Sequence, residues 1–443
     1  MAQRLTGAME DYLARDMSRF HMPGHKGAPL PVLGDISRLD VTEVEGLDSL
    51  CHASGPIRKT ELAYSGLYGT VGSFISAGGS TLCIQAMLAL ALRPGDTVLA
   101  GRGAHTAALN AMALLDINPV WVVPPVCAES GLALAVSPNQ IEEMLALHGD
   151  VKAVCLTSPN YFGVICDISR ISDLCGRYKV PLLVDNAHGA HLAFLPDSLH
   201  PISLGADICC DSLHKTLPVL TGGAMLHIGN PDYLPRAREM LALFGSTSPS
   251  YPIMLSIDSA LDYLRGEMRA GLLRVAERIS GLAVLAKSRG FLLPDAPLLD
   301  PMRLTLGAAK LGYKGAELGA YFRKSQIEPE YAGTTFCVLM ASPFNSPRDF
   351  ERLEQAISAL PARAPLPVIP FDFTLPRREV SLREAVFAPT QTVATEDASG
   401  RIAGATAAPC PPGIALVSAG ELIDAETAAL LKKYGILQVN VLR

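Results

Sequence analysis

The chain has 443 residues, 49% of them hydrophobic and 18% charged, which excludes a disordered chain and leaves room for two domains or one large domain with a satellite. Lys and Arg number 37 against 43 Asp and Glu, a formal charge of −6; with no long basic run, nucleic acid is not an expected partner. The 10 cysteines include no CxxC pair and no Cys/His cluster at zinc spacing, so no metal is expected and the thiols read as reduced core residues of a cytoplasmic protein.

The opening MAQRLTGAMEDYLARDMSRF lacks the apolar core of a signal peptide and reads as an amphipathic helix or arm. Further on, SFISAGGSTLCIQAMLALAL reads as a Gly78-Gly79-Ser80-Thr81 turn opening a helix. Glycines there let a ligand approach the backbone, and the first-turn N–H groups with two hydroxyls suit a phosphate; an ordinary capped helix start fits as well. The turn is neither a Walker A loop nor a GxGxxG fingerprint. The apolar run from Leu82 is too short to cross a bilayer, so no membrane is expected.

From Asp96 the chain alternates two textures. DTVLAG, PVWVVP, KAVCLTSP, PLLVDNAH, ADICCDS and AMLHIG are short Val/Ile/Leu runs that predict strands buried on both faces, with Cys209 and Cys210 pointing to opposite faces of one strand. PNQIEEMLALHG and ISRISDLCGRYK between them have helical periodicity. The alternation predicts an α/β fold, a mostly parallel sheet with helices on both faces. The last two strands lie too close together for a helical crossover, which allows one to run antiparallel. After Gly290 proline becomes frequent. The division expected is an arm over 1–45, a major domain over 46–290, a smaller α+β region over 291–365 and a C-terminal segment over 366–443, entered through a Pro-rich linker near Pro361–Pro376.

Ligands of parallel sheets bind beyond the carboxyl ends of the strands, and the chemical residues fall there. VDNAH places Asp185 and His188, DSLHK places Ser212, His214 and Lys215, TSPNYFG places Ser158, Asn160 and Tyr161, and GRGAH places Arg102 and His105. An acid and a lysine at strand ends, with a phosphate-binding helix start, are the parts pyridoxal phosphate needs: an amine for the Schiff base, a carboxylate to keep the pyridine nitrogen protonated, and a phosphate cup.

At this point the sequence resembles the bacterial Orn/Lys/Arg decarboxylases of fold type I, especially short forms without an N-terminal wing. FHMPGHKG, DVTEVEGLDSL, SFISAGGST, RPGDTVLAGRGAHTAALNAM, LTSPNYFGVICDI, VDNAHGAH, DSLHKTLP and GRIAGATAAPCPPGIALVSAGE match its blocks in order, nearly end to end. The resemblance implies pyridoxal 5'-phosphate, a Schiff base on Lys215, and Gly79, Ser80, Thr81, Ser212 and His214 as phosphate or cofactor contacts. It implies Asp185 as partner of the pyridine nitrogen, Ala187 on one ring face, His105 stacked on the other, and His188 near cofactor and substrate. Tyr161 divides evenly between packing and substrate contact, and His25 and Lys26 fit dimer packing better than catalysis. The resemblance further implies a homodimer and decarboxylation of arginine, lysine or ornithine.

Two departures stand out. The family's C-terminal signature carries a glutamate for the distal cation of the substrate, followed by Pro-Tyr-Pro-Pro-Gly; the matching positions here are Ala405 and Cys410, and its Pro-Gly-Glu reads Ala419-Gly420-Glu421. Glu43, Asp48, Glu396 and Asp397 are candidate substitutes. Asn186 stands where many relatives carry glutamate. Two other readings follow: a different reaction of the same cofactor, transamination or elimination, or a cofactor-binding homologue with weakened catalysis and a regulatory role. A transaminase needs an arginine clamp on the α-carboxylate; Arg303 in DPMRLTL is the candidate, although an outward-facing strand position suits it better.

Overall fold

The computed structural model describes residues 13–29, 34–367, 371–410 and 413–443. Most of the expected amphipathic arm (residues 1–12), residues 368–370 of the Pro-rich linker, and Pro411 and Pro412 of the C-terminal signature lie outside the described residues. The first strand, β1, is Ser18–Phe20, and β2 is Gly72–Ser76. Then follow β3 (Thr97–Gly101), β4 (Asn118–Val122), β5 (Val151–Thr157), β6 (Leu182–Asp185), β7 (Ile208–Asp211) and β8 (Ala224–Ile228).

Strands β2 to β8 form a 7-stranded sheet in the order β2-β8-β7-β6-β5-β3-β4. The pairs from β7 to β4 are parallel, and β8 is antiparallel to both β7 and β2. The reversal has a plain cause: between Asp211 and Ala224 the chain forms only the one-turn helix Leu213–Thr216 and a turn, too little for a parallel crossover. The expected strands are all present. β2 is the unforeseen one: all five of its residues are buried, so it shows no alternation, and it runs almost directly into the helix Gly79–Ala91.

The helices Gly79–Ala91 and Thr106–Leu115 pack on one face of the sheet, and Pro138–Leu147 and Ile168–Tyr178 on the other. Cys210 belongs to the first apolar layer and Cys209 to the second, the opposite orientations expected of neighbours on a strand. All 10 cysteines are free thiols.

Two long helices, Tyr251–Gly266 and Met268–Ser288, lead to a second sheet. Its strands are β9 (Arg303–Gly307), β11 (Tyr331–Ala332) and β12 (Phe336–Met340), in antiparallel order β11-β12-β9. Beside it β10 (Ile327–Pro329) pairs in parallel with β1, Ser18 opposite Ile327. Every residue of β9 is buried, so the outward position expected for Arg303 is wrong. Leu304 and Leu306 pack with the helix Met268–Ser288, while Thr305 and Arg303 donate to the carbonyls of Phe162 and Tyr161 on the other side. A strand covered on both faces has no outward side.

The C-terminal segment carries β13 (Thr390–Ala394), β14 (Arg401–Ile402), β15 (Leu422–Ile423) and β16 (Gln438–Leu442), paired β13 with β16 and β14 with β15. It is fastened to the large sheet just beyond β3: the buried Arg102 donates from Nη1 and Nη2 to the two Glu421 oxygens, 2.6 Å each, and from Nε to the Ala415 carbonyl at 2.8 Å. The guanidinium also lies over the Trp121 ring, 5.0 Å from its centroid. Among the described residues no helix is long and apolar enough to cross a membrane.

Candidate active site

The carboxyl ends of β2, β3, β5, β6 and β7 open on one edge of the large sheet, and a cavity of about 130 Å³ lies there. Ser80, His105, Asp185, Ala187, His188 and Lys215 all line it, with Tyr161 completing the wall. Residues spread over more than a hundred positions meet because each lies at or just past the carboxyl end of one of these strands.

Lys215 rides on the short helix after β7, its Nζ 3.0 Å from His188 Nε2. Burial pulls its pKa below the ordinary lysine value; the Asp185 carboxylate works against that, and the Arg303 cation adds to it. Asp185 ends β6, on the strand next to β7, and is 3% exposed. One of its oxygens accepts from Ala187 N at 3.1 Å and from Cys210 Sγ at 3.7 Å.

The helix start beside them is built for close approach. Gly79 has φ +72 and donates to the Gly222 carbonyl at 2.8 Å. The hydroxyls of Ser212 and Ser80 are joined at 2.7 Å. Thr81 is exposed, and Gly79, Thr81, Ser212 and His214 stand back from the cavity wall. His214 donates from Nδ1 to the Gly223 carbonyl at 3.1 Å, and burial lowers its pKa. His105 caps the helix Thr106–Leu115, its Nδ1 accepting from Ala107 N at 3.1 Å.

Under the wall lies a fully buried polar layer. Asn186 donates to Asp211 at 2.6 Å, and His200 and His227 face the other Asp211 oxygen at 3.1 and 3.4 Å. The nearby histidines hold the Asp211 carboxyl well below the usual range, overcoming the opposing effect of burial. Asn186, the departure from the family's glutamate, thus points down into this layer.

The opening block packs behind the same edge. Gly24 N donates to the His214 carbonyl at 2.8 Å, and a Cβ on Gly24 would come within 2.6 Å of the Thr216 backbone. Lys26 is buried, donates to the His21 and Met340 carbonyls at 2.7 and 2.9 Å, and is pulled by desolvation down to about 7. His25 accepts from Gly27 N at 3.0 Å. Neither His25 nor Lys26 reaches the cavity wall.

None of the four acids put forward as substitutes lines the cavity. Asp48 accepts from Ser54 N and Gly55 N at 3.1 and 2.7 Å and so closes a turn, while Glu396 pairs with Lys432 at 3.0 Å. Glu330, half-buried just past β10, does not line the cavity either but is bonded to Tyr161, which does. It accepts from Tyr161 Oη at 3.1 Å and from Met22 N at 2.9 Å. Burial, then the Glu330 charge, pushes the Tyr161 phenol up. Nothing in the sequence near Glu330 marks it; only the β1–β10 pairing brings it here. The C-terminal segment reaches the wall through Gly413, and its Cys410 carbonyl accepts from Tyr331 Oη at 2.6 Å.

Residues 4–280 match the family model described as Orn/Lys/Arg decarboxylase, major domain. The chain is similar to the uncharacterized protein YaaO of Bacillus subtilis, 31% identical over 98% of this chain and 94% of that protein. It is also similar to the arginine decarboxylase of Bacillus subtilis, 27% identical over 96% and 92% of the two chains. Among solved structures, lysine decarboxylase A from Pseudomonas aeruginosa superposes with a TM-score of 0.78 at 18% identity, covering 99% of this chain and 82% of that one.

Proposed function

Because the chain belongs to the Orn/Lys/Arg decarboxylase family and has its type I fold, we propose that it removes carbon dioxide from arginine, lysine or ornithine with pyridoxal phosphate as cofactor. The observation that carries this reading is that the Lys215 amine and the Asp185 carboxylate, at the ends of adjacent strands, line one cavity. On opposite sides of the sheet they could not serve one ring.

The side chains suit the cofactor. Lys215 would hold it covalently, and Asp185, buried with one oxygen occupied by local donors, would face its ring nitrogen. Ser80, joined to Ser212, and the start of the helix Gly79–Ala91 would hold the phosphate through hydroxyls and first-turn N–H groups. Ala187 and His105 would bound the ring faces. When bound, the cofactor supplies the electron sink that makes loss of carbon dioxide from Cα feasible. Lys215 or a site histidine, His188 lying 3.0 Å from it, would return the proton to Cα.

Glu330 is the acid we assign to the distal cation of the substrate, in place of the family glutamate that reads Ala405 here. The bonds from Tyr161 and Met22 N fix its carboxylate beside the cavity. Transamination is disfavoured by the state of Arg303: its Nη atoms are engaged by the Tyr161 carbonyl, His188 and Asp300, so it offers no free fork for an α-carboxylate. The working unit proposed is a cytoplasmic homodimer. A panel of arginine, lysine and ornithine with added cofactor tests the reading. Carbon dioxide with the matching amine supports it; keto acid instead, or no turnover at full cofactor occupancy, overturns it.

A further inference from the structure

We infer that Arg303 is a positioning residue which, through the ring of His188, holds the Lys215 nitrogen as a free amine. This rests on the role proposed for Lys215 and adds a residue of the second sheet to it. Arg303 Nη2 lies 3.3 Å from His188 Nδ1. A guanidinium has only donors, so Nδ1 must be the accepting nitrogen and carries no proton. A neutral imidazole with Nδ1 bare has its proton on Nε2. That Nε2–H faces Lys215 Nζ at 3.0 Å. An ammonium has no lone pair to receive it; the contact is a hydrogen bond only when the lysine is neutral.

The surroundings hold this arrangement in place. Arg303 is anchored by Nη1 to the Tyr161 carbonyl at 2.8 Å and by Nη2 to Asp300 at 3.3 Å. Asp300 is itself fixed by His191 at 2.8 Å and by Met302 N at 2.9 Å. Gly163, with φ +88, backs onto the Arg303 side chain so closely that a Cβ would sit 2.8 Å from its Cγ. The guanidinium is thus held by its own hydrogen bonds and its stem by close packing. The Tyr161 ring stands edge-on to His188, centroids 5.4 Å apart.

The charges pull both ways. Burial, foremost, and the Arg303 charge oppose the ammonium form of Lys215, while the Asp185 and Glu330 carboxylates favour it. His188 itself faces Lys215, Arg303, His105 and His214, and burial with these neighbours keeps it neutral. A neutral Lys215 is a nucleophile ready for a carbonyl carbon, whereas the ammonium form is not.

The test uses the full-length chain freed of cofactor. Trace labelling by acetic anhydride, with the Lys215 peptide followed by mass spectrometry across pH, reports the fraction of free amine. Arg303→Met is expected to move the Lys215 profile up by about one pH unit, roughly tenfold slower labelling near neutrality. Arg303→Lys, which keeps a donor and a charge, recovers most of it. His188→Phe shifts the profile in the same direction without touching Arg303, so the test stands even if Arg303→Met does not fold. Selective ¹⁵N labelling of histidine is expected to show His188 protonated on Nε2 and bare on Nδ1. A proton on Nδ1, or a Lys215 profile unmoved in Arg303→Met or in His188→Phe, overturns the inference. Labelling needs no turnover; a chain that labels as expected and decarboxylates nothing refutes the proposed function and leaves this one standing.

Discussion

Arg102 and Glu421 meet through two parallel hydrogen bonds of 2.6 Å, with both side chains out of water. Breaking one partner of such a pair leaves the other charge buried alone, a loss of about 3–5 kcal/mol. Glu421→Ala is expected to lower stability by that amount in urea denaturation. Arg102→Met with Glu421→Leu is expected to cost less than either single change, because no lone charge remains.

Lys215→Ala is expected to abolish covalent attachment of pyridoxal phosphate. Borohydride reduction followed by peptide mapping checks it: the wild type carries the cofactor mass on the Lys215 peptide and the variant carries none. Asp185→Asn is expected to keep the attachment and lose about 10²-fold or more in turnover, the scale of removing one preorganised electrostatic partner.

Glu330→Gln is expected to raise KM for a substrate with a distal cation by about tenfold or more, since a charge-assisted hydrogen bond contributes roughly 1.5–3 kcal/mol, with a smaller change in kcat. Steady-state kinetics on the preferred substrate decide it. A fall in kcat alone would assign Glu330 to the reacting centre.

His188 and His227 are buried, and desolvation lowers the pKa of each. The unfolded chain takes up a proton on each below about pH 6.5, and the folded chain does not. Stability is therefore expected to fall as the pH drops below that value, by up to about 1.4 kcal/mol per pH unit for each histidine. Asp211, held below its usual value, adds a loss only lower, from about pH 4 downward. Urea midpoints from pH 8 to 5 test this, and His227→Gln is expected to give a shallower slope.

Gly24→Ala places a methyl group against the backbone of Thr216 and Leu217, 2.6 to 2.8 Å away. Backbone cannot yield as a side chain can, so a loss of about 1–3 kcal/mol or more is expected, together with weaker cofactor retention, read by thermal denaturation and absorbance.

What the sequence revealed followed physical type. β3 to β8 were legible because a strand covered on both faces must be continuously apolar, and Lys215, Asp185, His105 and His188 because each closes such a run. β2 was hidden by the opposite circumstance, an apolar strand merging with an apolar helix. Arg303 was misplaced because a charge in a strand suggests a solvent face, whereas its Nη donors are consumed internally. Glu330 was beyond reach: its meaning depends on pairing across almost the whole chain, which no local pattern encodes. The same holds for the buried layer of Asn186, Asp211, His200 and His227.

The parallel pairing of β1 with β10 bears on synthesis. Ser18 leaves the ribosome early, and its partner Ile327 only after the central sheet has emerged. Until then β1 has no ladder, Met22 N has no Glu330 to bond, and an edge stands open to unintended partners. The support behind Tyr161 is thus completed late, by the return of the growing chain to its own beginning.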